Sequence, residues 1–338
     1  MKKAFFLIIM FITLSLYAQA VDYVGPDFAQ GIYDQYSKNF LNADMTGRGH
    51  TGMALSGGAD YGIHNPASMI DDYSSLNFEL FVKGNVKELN EYDSKHYQSP
   101  FPISFFGLKF KPFHNTHFGI SYSLANSMEY YSFLRSIPQI GNTVDYIPRY
   151  QNYQLTFTTA QKINEHFSIG INTLVNMHNF REYRNEGKVD LLKFNQTYFR
   201  LQPGFLYTSD LFNVGASYVH SCDVEYQHKY IDYKMTIPSE LKTGICINLA
   251  NNLSVLLDTD YTLYSEQADY MNDQVVLKTG IEKKFINPFR IAGDYSLKAG
   301  FIYSPEVFKG TYNVPNFSSP DMDEFHPEFY QVIPSVGK

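Results

Sequence analysis

Hydrophobic and polar residues alternate one by one along most of the chain. Residues 117–124, for example, read His-Phe-Gly-Ile-Ser-Tyr-Ser-Leu. A period of two is typical of β-strands whose two faces meet different surroundings. The pattern predicts eleven strands and the start of a twelfth near Glu328. The eleven strands span 73–88, 102–111, 117–134, 146–161, 166–180, 193–208, 212–222, 238–250, 253–264, 274–285 and 295–304.

The connections between these strands alternate in length. Short turns follow the even strands, at 112–116, 164–165, 209–211, 251–252 and 286–294. Long loops follow the odd strands, at 89–101, 135–145, 181–192, 223–237, 265–273 and 305–327. This arrangement predicts an all-β fold, a transmembrane antiparallel β-barrel with apolar residues toward lipid and polar residues toward the lumen. The alternative is a soluble antiparallel sandwich.

The aromatic content favours the membrane barrel. The chain has 28 Tyr and 28 Phe but no Trp, and only 44% of its residues are hydrophobic. Membrane barrels concentrate aromatic residues in belts at both interfaces. Many predicted polar faces also carry a glycine, which weakens a strand unless something passes close by. A crowded lumen would supply that reason.

The first twenty residues have the features of a secretory signal peptide. Lys2 and Lys3 precede an apolar run, 4–16, and a small-x-small site that ends at Ala20. The apolar run is too short for a spanning helix, which needs about 20 residues. We therefore expect cleavage near Ala20 and localisation in the bacterial outer membrane.

Charge and motifs exclude several function classes. Without Lys2 and Lys3 the chain has 25 basic residues against 34 acidic ones, a net charge of −9, which predicts no nucleic-acid partner. Cys222 and Cys246 are too few for a disulfide scaffold, although they could form one bridge. Zinc-ligand spacing and the His-Glu-x-x-His, Gly-x-Ser-x-Gly and P-loop motifs are absent from the sequence. The prediction is a non-enzyme with no metal and no cofactor.

A stretch rich in Gly, Ala and Ser precedes the first strand, from residue 52 to residue 72. A barrel of twelve or more strands is too wide for its own side chains to close it. We therefore predict that residues 21–72 form a plug, or hatch, inside the lumen, and that residues 73–338 form the barrel. The alternative is a disordered periplasmic leader.

Residues 47–69 read GRGHTGMALSGGADYGIHNPASM. This stretch resembles the amino-terminal hatch of the FadL/TodX outer-membrane transporters of hydrophobic compounds. The shared feature is a Gly/Ala-rich run followed by Asn65, Pro66 and Ala67, whereas the acidic pair Asp71-Asp72 falls after this triplet instead of before it. The resemblance implies a monomeric, fourteen-stranded barrel that takes up long-chain fatty acids or other hydrophobic small molecules by passive diffusion.

The resemblance also implies a sideways exit into outer-membrane lipid, where the third strand kinks inward. The alternation in the third predicted strand lapses at Ala125, Asn126 and Ser127, which we take as the candidate kink. The alternative is an ordinary bulge. A second alternative concerns function, since related barrels serve protein secretion as components of a type IX system.

Charged residues on the polar faces are candidates for ligand binding or for pairing across the lumen. Arg200 is the candidate contact for a ligand carboxylate, because a guanidinium can bind one through two hydrogen bonds. Tyr130, Tyr131 and Phe133 are candidates for a capture groove, although interface-belt aromatics explain them as well. The other inward charges are Lys83, Lys109, Lys242, Lys278, Lys298, Glu79, Asp258, Asp260 and Glu282.

The carboxyl-terminal end of the pattern is shorter than the resemblance implies. The chain reaches Lys338 within the twelfth strand. Because an odd or frayed edge would expose unpaired backbone to lipid, we expect the barrel to be truncated there. The alternative is a smaller barrel.

Overall fold

The computed structural model describes most of the predicted strands and part of the predicted hatch. The described residues are 43–70, 75–82, 87–91, 94–98, 103–129, 133–137, 142–184, 189–228, 231–266, 272–285, 295–304 and 329–337. The predicted signal peptide (1–20), the pair Asp71-Asp72, Lys83, Tyr130 and Tyr131 lie outside them.

The described part of the chain begins with short helices and continues with strands. The helices are α1 (Ala43–Gly47), α2 (Ala59–Gly62) and two 3₁₀ turns, Pro66–Met69 and Tyr264–Glu266. The strands are β1 (Leu76–Val82), β2 (Lys87–Glu91), β3 (Ser94–Gln98), β4 (Ile103–Phe113), β5 (Thr116–Glu129), β6 (Phe133–Ile137), β7 (Asn142–Lys162), β8 (Phe167–Arg184), β9 (Val189–Thr208), β10 (Phe212–Val219), β11 (Cys222–His228), β12 (Ile231–Ile237), β13 (Glu240–Leu249), β14 (Leu253–Thr262), β15 (Gln274–Phe285), β16 (Tyr295–Ser304) and β17 (Phe329–Gly337).

One large antiparallel sheet dominates the described residues. Its order is β1-β4-β5-β7-β8-β9-β10-β13-β14-β15-β16-β17, with β6 paired to β7 beside this path. All eleven predicted strands and the twelfth belong to this sheet, so the all-β antiparallel prediction is confirmed. Within the described residues, no pairing joins β1 to β17.

Several predicted long loops contain strands, which the sequence pattern missed. The loops at 89–101 and 223–237 contain most of the hairpins β2–β3 and β11–β12, each a separate two-stranded sheet. The loops at 135–145 and 181–192 are largely occupied by the ends of β6 to β9. The prediction was wrong here because these segments pair locally with their own chain neighbours, and such pairing needs no strict hydrophobic alternation.

Four of the five predicted short turns, 112–116, 164–165, 209–211 and 251–252, are confirmed at the opposite end of the sheet, and the fifth, 286–294, lies outside the described residues. Asn251 and Asn252, which join β13 to β14, have φ angles of 63° and 58°. Two consecutive residues with positive φ are typical of the two-residue turn that matches the twist of paired strands, and Asn tolerates this conformation.

Burial along the strands is inverted relative to a soluble protein. On β9, Phe199 and Leu201 are 64% and 46% exposed, whereas Arg200 and Gln202 between them are 6% and 1% exposed. Exposed apolar residues recur from β1 to β16, as do buried polar residues from β4 to β16. The predicted orientation, with apolar side chains outside and polar ones inside, is therefore confirmed. No helix in the described part of the chain is long and apolar enough to cross a membrane.

Candidate functional site

The described part of the predicted hatch, residues 43–70, lies against the inner, polar face of the sheet; we call it the hatch segment. Helix α1 packs beside β16 and β17, and α2 packs beside β1, β4 and β5. The Pro66–Met69 turn packs against β7 to β10. The sheet therefore curves around the hatch segment, which contacts it from β1 to β17.

Eight inward-facing glycines give the hatch segment room; we call them the glycine ring. At each of them, a Cβ atom would come within 3.0 Å of an atom of the hatch segment. They are Gly107, Gly119, Gly170, Gly204, Gly215, Gly244, Gly280 and Gly300. The glycines in the strands predicted that another part of the molecule passes close to them, and that part is the hatch segment.

The closest contacts in the glycine ring are with hatch backbone. A Cβ on Gly170 would lie 2.6 Å from the carbonyl carbon of Pro66, and one on Gly300 would lie 2.1 Å from the amide nitrogen of Gly49. Gly49 itself has a φ of +65°, which L side chains rarely adopt. At both places backbone therefore packs on backbone, and neither Gly170 nor Gly300 has space for a side chain.

The triplet Asn65, Pro66 and Ala67 lies against Gly170 and Gly204 of the glycine ring. The Asn65 side chain accepts a hydrogen bond from the Ala67 N–H (3.2 Å), which caps the turn that begins at Pro66. Its amide nitrogen donates to the carbonyls of Met53 (3.1 Å) and Phe205 (2.9 Å). Asn65 thus joins two parts of the hatch segment to β9, and it is fully buried.

Neutral donors on β8 to β10 bind carbonyls of the hatch segment. The Asn172 amide donates to the Gly62 carbonyl at 2.8 Å. Gln202 and Ser217 both donate to the His64 carbonyl, at 2.7 and 2.8 Å. The sequence analysis missed these three residues. A usable signal was present, since each lies two positions from a ring glycine and therefore on the same strand face.

Carboxylates on the inner faces of β1 and β14 bind N–H groups of the hatch segment. Asp258 accepts hydrogen bonds from the N–H groups of Gly52 (2.7 Å) and Met53 (3.0 Å). Glu79 on β1 accepts one from the N–H of Asp60 at 2.9 Å. Both carboxylates were predicted to face the lumen, and the structure shows that they bind the hatch backbone.

Ion pairs add a third set of attachments, at α1 and the residues after it. Arg48 contacts Glu282 at 3.0 Å and donates to the Tyr61 hydroxyl at 2.6 Å. Lys298 contacts Asp44 at 2.5 Å. Burial alone would raise the pKa of Asp44, but the hydrogen bond and charge of Lys298 outweigh it and hold this pKa below its usual value. Burial raises the pKa of Tyr61 to about 12, so the phenol is neutral at physiological pH.

Arg200, the candidate ligand contact, is already engaged with protein groups. Its guanidinium donates to the carbonyls of Pro238 (2.6 Å) and His220 (2.8 Å) and lies 3.5 Å from a Glu240 oxygen. These contacts use three of the five N–H donors of the guanidinium, and the role of Arg200 as a ligand contact stays a prediction. Phe133 begins β6, and its side chain, like Tyr130 and Tyr131, lies outside the described residues.

The two cysteines, which could have formed a bridge, are separate thiols. Cys222 begins β11, and Cys246 is buried in β13.

Strands β4 and β5 stop pairing before either of them ends. Their last pair in the described residues is Phe105 with Ser123. β4 nevertheless extends to Ile103, and β5 continues to Glu129. We call the interval between residues 103–104 of β4 and residues 124–125 of β5, which are described and do not pair with each other, the β4–β5 split.

A bulge lies on each side of the β4–β5 split. Ser104 is an extra residue against β1, where Phe105 and Ile103 pair with consecutive residues. Ala125 is an extra residue against β7, since Leu124 and Asn126 pair with consecutive residues there. Bulges bend a strand and disrupt its ladder locally. The predicted kink at Ala125, Asn126 and Ser127 thus coincides with an irregularity of β5, the third strand of the main sheet.

Comparison with solved structures shows the same architecture. A Pseudomonas aeruginosa FadL homologue has a TM-score of 0.56 at 11% identity, covering 81% of this chain and 82% of its own. The P. putida toluene transporter TodX has a TM-score of 0.55 at 12% identity, covering 77% of this chain and 82% of its own. A TodX mutant described as a monoaromatic hydrocarbon channel has a TM-score of 0.56 at 13% identity, covering 84% of this chain and 86% of its own.

No protein-family model and no curated protein matches the sequence. The likeness therefore concerns the fold, and at that level the predicted resemblance is confirmed. The structural neighbours are transporters and channels built as β-barrels. The chain has a FadL/TodX-like fold.

Proposed function

We propose that this protein is a monomeric outer-membrane barrel through which hydrophobic small molecules, such as long-chain fatty acids, pass by diffusion. In this proposal residues 1–20 are removed, residues 21–72 form the hatch, and residues 73–338 form the wall. The observation that carries the proposal is the inverted sheet, apolar outside and polar inside, wrapped around an anchored hatch segment. The FadL/TodX-like fold supports it.

The proposed exit is the β4–β5 split. A hydrophobic molecule gains free energy by moving from water to hydrocarbon, about 25 cal/mol per Å² of apolar surface removed from water. It therefore needs no energy source, only a break in the wall that opens toward lipid. We take the split to be this break, because the described β4–β5 ladder ends at the pair of Phe105 and Ser123.

Deleting Ala125 tests the exit. The deletion removes the extra residue of β5, so that Leu124 and Asn126 become neighbours opposite consecutive residues of β7. We expect uptake of radiolabelled oleate by cells expressing the protein to fall to the level of cells without it. Heat-modifiable migration on gels should still show a folded barrel.

The matched control is deletion of Leu191, the extra residue of a second bulge, where β9 pairs with β8 far from the split. This deletion should leave oleate uptake unchanged. Normal uptake by the folded Ala125 deletion would contradict the proposed exit. The secretion role stays an alternative prediction, which co-purification with a cell-surface protein cargo would favour.

A further inference from the structure

One large apolar side chain, that of Phe105, lies on the inner face at the foot of the β4–β5 split. Phe105 belongs to the last β4–β5 pair and is fully buried. Its ring stacks on that of Phe81 in β1, with centroids 5.3 Å apart and planes 19° apart. It also packs with Ala59 and Ile63 of the hatch segment.

The Phe105 ring fills the space between the wall and the hatch segment. A Cβ on Gly107 would lie 2.7 Å from atoms Cε1 and Cζ of this ring and 2.8 Å from the Cβ of Ala59. The glycine therefore makes room for the ring and α2 together. The Phe105 ring thus lies on the inner face of β4, directly beside the β4–β5 split.

The inner faces of β4 and β5 next to this ring carry buried polar residues, and the neighbouring Leu124 of β5 is buried as well. Lys109, Ser121 and Ser123, on the same inner faces of β4 and β5, are buried. The cluster of Phe105, Ala59 and Ile63 with Phe81 against it is an apolar patch on a polar wall, next to the split. Apolar molecules in the lumen would collect at this patch, since contact with it removes apolar surface from water.

We propose that Phe105 is the size-selecting gate of the lateral exit. The ring yields to narrow hydrophobic molecules by rotating away from α2, and its bulk excludes wide ones. Wall backbone and hatch flank it on both sides, so the side chain of residue 105 sets the width of the passage. This inference rests on the proposed function.

The test measures entry of two flat hydrocarbons, naphthalene (two fused rings) and pyrene (four), into cells expressing the full chain. Phe105→Ala should raise the ratio of pyrene to naphthalene entry about three-fold or more over the unchanged protein. Phe105→Trp should lower entry of both compounds. Phe105→Leu, which keeps an apolar contact with α2 but removes the ring, should give an intermediate ratio.

Phe106→Ala is the matched control. Phe106 is the next residue, faces outward, and packs edge-on against Phe78. This variant should keep the ratio of the unchanged protein, and heat-modifiable migration confirms folding of every variant. If Phe105→Ala does not fold, Phe105→Leu and Phe105→Trp decide the question.

The outcomes separate the two ideas. If the unchanged protein admits neither naphthalene nor oleate above the level of cells without it, the proposed function fails. If it admits naphthalene but the folded position-105 variants all keep its pyrene ratio, the gate is wrong while the transport function stands.

Discussion

At the scale of single residues, side chains on the inner face of the sheet form hydrogen bonds with backbone groups of the hatch segment. Donors on β8 to β10 bind hatch carbonyls, whereas Asp258 and Glu79 bind hatch N–H groups. A net hydrogen bond contributes only about 1 kcal/mol, but a buried N–H that loses its acceptor costs about 1–3 kcal/mol. Asp258 accepts two such hydrogen bonds, so its loss should cost more than the loss of a wall side chain that makes one.

Asp258→Ala should loosen the hatch segment, because it leaves the N–H groups of Gly52 and Met53 without their acceptor. We expect hydrogen exchange at these two amides to speed up about five-fold or more, as a loss of about 1–3 kcal/mol implies. Asp258→Asn, which keeps one acceptor oxygen, should have a smaller effect. Asp260→Asn is the control, since Asp260 lies on the same strand face and contacts Lys278. Equal exchange in all variants would show that Asp258 does not hold the hatch.

At the scale of elements, the strands are shaped by what they enclose. The glycine ring lies where strands meet the hatch segment, and Gly170 pairs directly with Gly204 and Gly280 with Gly300 across neighbouring strands. Elsewhere on the same strands, bulky apolar residues face outward. One strand thus serves two surfaces, and substitutions on its two faces should have different consequences.

Gly170→Ala and Gly119→Ala make the same change at two places in the glycine ring with different neighbours. At Gly170 the new methyl would meet the backbone of Pro66 and Ala67, whereas at Gly119 it would meet the flexible end of Met69. We expect Gly170→Ala to lower the free energy of unfolding by about 1–3 kcal/mol, the usual cost of overpacking, and Gly119→Ala to lower it less. Reversible denaturant unfolding in lipid vesicles measures both. Equal costs would mean that the hatch backbone yields as easily as the methionine.

At the scale of the whole molecule, the hatch segment occupies the interior that the sheet encloses. It is attached to β1 through Glu79, to β8 through Asn172 and to β14 through Asp258. Because these strands lie in different parts of the sheet, a movement of the whole segment toward one of them would break the hydrogen bonds to the others. These distributed attachments favour a hatch segment that stays in place.

Deleting residues 43–70 should convert the protein into an open pore. The polar inner faces would then face water, because a barrel of twelve or more strands is too wide for its own side chains to fill it. We expect single-channel conductance in planar bilayers to rise several-fold over the intact protein. Unchanged conductance with a folded deletion variant would show that another part of the chain closes the lumen.

The sequence alone determined the twelve strands along the path of the main sheet and their two faces. Alternation with period two depends only on which residues tolerate water or lipid, and it can be read without knowing what a strand pairs with. The same holds for the turn at Asn251-Asn252 and for the inward direction of Glu79, Asp258 and Glu282. The pattern did not predict the hairpins β2–β3 and β11–β12, because strands that pair locally through their backbones need no such alternation.

Only the tertiary structure decided which inward residues meet. Asp258 and Gly52 are 206 residues apart in the chain, and only the curvature of the sheet brings them to 2.7 Å. Phe105 resembles every other strand phenylalanine in the sequence, and its contact with α2 at the end of the β4–β5 ladder distinguishes it. A one-dimensional pattern records the face of a residue, whereas its partners depend on how distant segments pack in three dimensions.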